Sequence, residues 1–210
     1  LAEEIRSVEP YVDWFHLDVM DGHYVDNLTF GPSTVAAIDA ATETPLHVHL
    51  MISDPQKYAG VFADSGADRI SFHPEVTPDP GRVVEAISAA GAGVGIAVHP
   101  DVPVSVVEPY LDDVRVVLMM TVRPGFGGQK FLNDVVPKIS ETAVLLQESG
   151  KSADIDIEVD GGVNLTTLER AVSAGGQILV AGSAIFDGID APAAAKRLRE
   201  RLDEVGKGPE

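Results

Sequence analysis

Residues 114–128 read VRVVLMMTVRPGFGG, an almost unbroken apolar run that ends in a glycine-rich loop. A strand with one wet face alternates apolar and polar residues. One covered on both faces loses that alternation, as happens in parallel sheets flanked by helices. QILVAG, residues 177–182, has the same character. Working outward from these two, strands are predicted at residues 14–18, 46–51, 69–73, 93–99, 115–121, 156–160 and 177–181. Helical patterns with apolar residues three to four apart fall between them at 55–64, 81–90, 104–110, 135–149, 165–174 and 191–205, and residues 1–8 also read as helix.

Gly66, Gly91, Gly150 and Gly175 stand where helices should end and the chain must turn left-handed, each shortly before the next strand. Repeated strand-helix units fit either a doubly wound sheet or a (β/α)8 barrel. The barrel is favoured because the candidate polar groups come from several strand ends rather than from one switch point. Seven strand signals are one short of eight, and the chain opens on a helical segment. The expectation is therefore a (β/α)8 TIM barrel forming a single domain over residues 1–210, N-terminally truncated so that its first strand precedes Leu1.

With 33 acidic against 15 basic residues, the net charge of −18 repels nucleic acid and anionic membranes at long range. An anionic substrate must then be held locally, by backbone amides or a helix N-terminus. The absence of cysteine excludes disulfides, Cys-ligated zinc, iron–sulfur clusters and thiol nucleophiles, and fits a cytoplasmic location. No apolar run approaches the roughly 20 residues of a membrane-spanning helix.

Three predicted strands end in WFHLDVMDGH (14–23), PLHVHLM (45–51) and DIDIEVDGGV (154–163). Residues i and i+2 of a strand project the same way, so His16 and Asp18 leave one strand together, and His49 and Asp160 can meet them from two others. Two imidazoles and two carboxylates make a divalent-metal site, and the same carboxylates can move protons. His47 shares a face with His49, and periodicity alone does not separate the two. Met20, Met51 and Met120 sit at strand ends, either as apolar filler or as a low-dielectric lining. Gly125, Gly127 and Gly128 follow one strand, Gly161 and Gly162 the next, and Gly182 and Ser183 the last. Loops after the final strands of a barrel recurrently hold phosphate, which points to a small phosphorylated substrate.

Taken together, HLDVMDGHYV, HVHLM, MTVRPGFGGQKF, EVDGGVN and VAGSAIF resemble the ribulose-phosphate 3-epimerase family in order and spacing over residues 14–186. The resemblance implies a TIM barrel that interconverts D-ribulose 5-phosphate and D-xylulose 5-phosphate in the pentose phosphate pathway. It also implies one divalent metal per subunit (zinc, iron, manganese or cobalt) and a homo-oligomer. By position, the metal ligands fall on His16, Asp18, His49 and Asp160, and the acid and base on Asp18 and Asp160. Substrate and phosphate contacts fall on His49, Gly125, Phe126, Gly127, Gly128, Gly161, Gly162, Gly182 and Ser183. Alternatives are a related 3-epimerase acting on a six-carbon ketose phosphate such as allulose 6-phosphate, and a non-catalytic sugar-phosphate-binding barrel. Three departures stand out: the family's N-terminal strand with its substrate-touching serine has no counterpart, His47 replaces a usual Asp behind His49, and Asp26 replaces a usual Pro.

Overall fold

The computed structural model describes residues 1–186 and 190–206, and it carries seven parallel strands. These are β1 Phe15–Met20, β2 Leu46–Met51, β3 Arg69–Phe72, β4 Gly93–Val98, β5 Val114–Met120, β6 Asp156–Asp160 and β7 Ile178–Val180. They pair in sequence order from β1 to β7. The sheet curls until its distant parts meet: His16 of β1 reaches Glu158 of β6 at 2.9 Å, although 142 residues separate them. Among the described residues β7 does not pair with β1, so the seam between them is open. This is a (β/α) TIM-barrel-like fold with the seven strands expected from sequence.

Helices α1 Ala2–Val8, α2 Pro32–Asp39, α3 Pro55–Asp64, α4 Pro80–Ala89, α5 Val136–Glu148, α6 Leu168–Ser173 and α7 Ala191–Gly206 alternate with the strands. Helix α2 is not among the helices expected from sequence, because its eight residues bury only Val35 and Ile38 and so carry little apolar period. Residues 104–110, expected as an ordinary helix, form a 3-10 helix instead. Pro103 precedes it and Pro109 lies inside it, which removes backbone donors and disfavours helical geometry just before the ring. The four glycines expected at helix ends all adopt positive φ.

Alternation along the strands sorts residues into two layers. Leu17 and Val19, Val48 and Leu50, Ile70 and Phe72, and Val159 face outward and join Ile38, Phe62, Ile87, Ile139 and Leu168 from the helices in one core. Fully burying one such side chain stabilises by about 1.5–3 kcal/mol. Helix α3 shows how local chemistry supports that packing: Asp54 accepts a hydrogen bond from the Lys57 amide, and Pro55 fills a first-turn position that needs no donor. The alternate residues face inward, and there the barrel is polar on one side. His16, His47, His49, Arg69, Ser71, His73, Glu158 and Asp160 oppose a small apolar cluster of Ala97, Leu118, Met120 and Val122. Among the described residues no helix is long and apolar enough to cross a membrane.

Candidate active site

The register between β1 and β2 sets the depth of each inward residue. His16 stands beside His47, and Asp18 beside His49, one step nearer the mouth. Asp160 is the last residue of β6 and arrives from the other side of the interior. One donor atom from each of His16, Asp18, His49 and Asp160 falls within 4.8 Å of the others. The four expected residues therefore converge.

Each has a distinct electrostatic setting. Asp18 accepts from His49 Nδ1 at 3.0 Å and lies 3.3 Å from His16 Nε2. Burial would raise its pKa, but the two imidazoles outweigh that and hold the carboxyl well below the usual range. Asp160 is pushed the other way, first by burial and then by the negative charge of Asp18. Its nearest ring nitrogen, His49 Nδ1, is 3.9 Å away. Burial lowers His49 to about 4, so its ring is neutral at pH 7. The two neighbouring carboxyl groups thus have oppositely displaced proton affinities.

A metal ion fits this donor set. His16 Nε2 is buried without a hydrogen-bond partner and faces the Asp18 carboxylate, and a mixed imidazole and carboxylate set suits a borderline divalent ion. His49 is completely buried and sits behind Asp18 and Asp160, away from the cavity wall. His47, at the place behind His49 where the family usually has Asp, directs its hydrogen bonds to other residues. It lies one step deeper, with Nδ1 3.1 Å from Glu158 Oε1 and Nε2 2.7 Å from Ser71 Oγ. The partner of His49 Nε2 is instead His73 Nε2 at 3.0 Å. Behind His73, Glu75 Oε1 lies 3.2 Å from Nδ1 and accepts from the Tyr24 hydroxyl at 2.9 Å. Neither Glu158 nor this His73, Glu75 and Tyr24 chain was expected.

His16, Asp18 and Asp160 open onto a cavity of about 700 Å³. Its wall includes Met20, Met51 and Met120, the loop residues Gly125, Phe126, Gly127 and Gly128, and Gly161, Gly162, Gly182 and Ser183. The first glycine loop is clasped: Gln129 Nε2 donates to the carbonyls of Arg123 and Phe126, and Asn27 Nδ2 donates to that of Gly125. At Gly162 the φ of +66° is left-handed, and an added Cβ would stand 2.5 Å from the Phe131 amide nitrogen. Backbone cannot step aside as a flexible side chain can. Gly162→Ala is expected to cost roughly 1–3 kcal/mol in overpacking beyond the left-handed strain. At ~2–4 °C per kcal/mol for a chain of this size, Tm should drop by several degrees in a thermal melt. An unchanged Tm would show that the loop yields freely there.

The ribulose-phosphate 3 epimerase family model matches residues 1–186. A ribulose-phosphate 3-epimerase of Bacillus subtilis (strain 168) is 46% identical over 200 residues, spanning 95% of this chain and 92% of its own length. The ribulose-phosphate 3-epimerase of Mycobacterium tuberculosis (strain ATCC 25618 / H37Rv) is 44% identical over 93% of this chain and 83% of its own. The chloroplastic ribulose-5-phosphate-3-epimerase of Arabidopsis thaliana is 42% identical over 95% of this chain and 71% of its own. Among solved structures, KGPDC from Streptococcus mutans superposes with a TM-score of 0.76 at 16% identity, covering 97% of this chain and 91% of that one. A 3-hexulose-6-phosphate synthase gives 0.71 at 23% identity, covering 96% and 92%. These structural likenesses speak to the barrel alone.

Proposed function

The chain belongs to the ribulose-phosphate 3-epimerase family, and from that premise we infer that it interconverts D-ribulose 5-phosphate and D-xylulose 5-phosphate by moving a proton at C3. The observation that carries the mechanism is the convergence of the Asp18 and Asp160 carboxyl groups, from two different strands, on one cavity. Epimerisation removes a proton from one face of a carbon next to a carbonyl and returns one to the other face. Asp18, ionised, is the base in the ribulose-to-xylulose direction. Asp160, whose environment favours its protonated form, is the acid. In the reverse direction the roles exchange.

His16, Asp18, His49 and Asp160 would hold a divalent cation, zinc, iron, manganese or cobalt, which when bound supplies Lewis-acid stabilisation of negative charge on substrate oxygens. His49 Nδ1 donates to Asp18 at 3.0 Å; with a cation bound, Nδ1 would turn its lone pair to the ion and Nε2 would hold the proton toward His73. Met20, Met51 and Met120 line the cavity with polarizable apolar surface and keep water from the reacting face. The loops of Gly125, Phe126, Gly127 and Gly128, of Gly161 and Gly162, and of Gly182 and Ser183 bring main-chain donors to a substrate phosphate. That local capture offsets the repulsion of a chain with net charge −18.

The direct check is to incubate the metal-loaded protein with D-ribulose 5-phosphate in deuterated water and follow C3 by NMR. Xylulose 5-phosphate bearing deuterium at C3 is expected. A six-carbon ketose phosphate under the same conditions should turn over more slowly. No product from a folded, metal-replete sample would sink the assignment and leave a sugar-phosphate-binding barrel.

A further inference from the structure

Glu158 is a buried acid outside the four-residue cluster, two positions before Asp160 on the same inward face of β6. A carboxylate out of water is stable only if its oxygens are well partnered. Here Oε1 lies 2.9 Å from His16 Nδ1 and 3.1 Å from His47 Nδ1, while Oε2 lies 2.9 Å from His47 Nδ1 and 3.9 Å from Arg69 Nη1. The His47 ring is fixed at its far end by the Ser71 hydroxyl, 2.7 Å from Nε2, and meets the His16 ring edge-on with centroids 4.9 Å apart. Oε1 thus takes both imidazole hydrogen bonds, while Oε2 lies near His47 and Arg69 without an aligned donor, and Glu158 is held in place by one imidazole while it holds another.

The consequence for His16 follows from imidazole chemistry. A ring nitrogen 2.9 Å from a carboxylate oxygen carries a proton and donates it. With Nδ1 so committed, Nε2 is the nitrogen left to face Asp18, and a metal cation there would take the place of the proton that Nε2 otherwise holds. That nitrogen is buried, has no hydrogen-bond partner, and points at a carboxylate oxygen 3.3 Å away. A bare lone pair facing a carboxylate is repulsive, so this position calls for a positive charge, a ring proton or a metal cation in its place. We propose that Glu158, backed by His47, is a positioning residue that sets the tautomer and orientation of His16 so that Nε2 is presented to a divalent cation. The proposal rests on reading His16 as a metal ligand. It does not place Glu158 in contact with substrate.

The test measures zinc affinity rather than turnover, by competition against a chromogenic chelator on the full chain. His16→Ala is the reference for losing a ligand. Glu158→Gln keeps the shape but removes the charge, and should weaken zinc binding by roughly 10–100-fold, the usual effect of losing a carboxylate behind a ligating histidine. A purely structural role would lower Tm while leaving the folded fraction with wild-type affinity. Should Glu158→Gln fail to fold, ¹⁵N NMR of the zinc-loaded wild type answers the same question, with His16 expected to carry a proton on Nδ1 and zinc on Nε2. Zinc on Nδ1 of His16, affinity in folded Glu158→Gln within about twofold of wild type, or a second zinc per chain held by His16, His47 and Glu158 would each overturn the proposal. Wild-type affinity in His16→Ala would instead remove the metal reading itself, and the role of Glu158 with it.

Discussion

Asp18→Asn and Asp160→Asn should each lower turnover of D-ribulose 5-phosphate by roughly 10²–10⁴-fold, the usual contribution of a positioned acid or base. An amide neither takes a proton from carbon nor delivers one. Because inversion needs a working group on each face, loss of either stops it. Both carboxylates also belong to the candidate metal cluster, so metal content must be measured beside the rate. Isotope exchange then separates the two roles. In metal-replete Asp160→Asn, Asp18 can still remove the C3 proton of ribulose 5-phosphate and return a deuteron to the same face. Deuterium should enter the substrate without formation of the epimer. Wild-type epimerisation by either variant with its metal in place would falsify the two-acid scheme.

Stripping the protein with a chelator should abolish turnover, and about one equivalent of zinc, iron, manganese or cobalt per chain should restore it. The donor set is compact even without an ion, and His16 Nε2 has no other partner, so the folded chain should bind metal far better than the unfolded one. Selective binding stabilises. At a free metal concentration of ~100 times Kd the gain is about 2.7 kcal/mol, or a Tm rise of roughly 5–10 °C at this chain length. His49→Ala should flatten that rise. Full activity in protein shown by elemental analysis to lack metal would remove the cation from the reaction.

How far the residues announced this site depends on which physical rule carried the information. The period of a strand places His16 with Asp18, and the cost of buried charge makes their convergence with His49 and Asp160 readable from three short segments. Choosing between His47 and His49 was beyond that rule, since both share a face. The difference lies in register, which sets Asp18 beside His49 and His16 beside His47, and register belongs to two strands at once. Glu158 obeyed the same i, i+2 rule as Asp18 and His16 and was open to the same inference. Asp160, with the two glycines after it, carries the stronger local signal in that segment. The His73, Glu75 and Tyr24 chain joins the region after β3 to the loop after β1, and no local pattern connects such distant segments. The β strands were readable because buried parallel strands are continuously apolar. Helix α2 was not, because so little of it is buried.

The sheet's strictly sequential order has a bearing on biosynthesis. Each strand pairs with the one made just before it, so the wall can be laid down unit by unit as the ribosome releases it. The chemistry follows another timetable. Its parts sit on β1, β2 and β6, and His16 waits 142 residues for Glu158, on the order of ten seconds at ordinary elongation speeds. A nascent chain halted after β5 holds most of a scaffold and two histidines beside one carboxylate, but neither the acid nor the group that aims His16. Architecture accumulates gradually in this chain, whereas the acid, the base and the histidines come together in one step with the sixth strand, and only the Gly182 and Ser183 loop follows later.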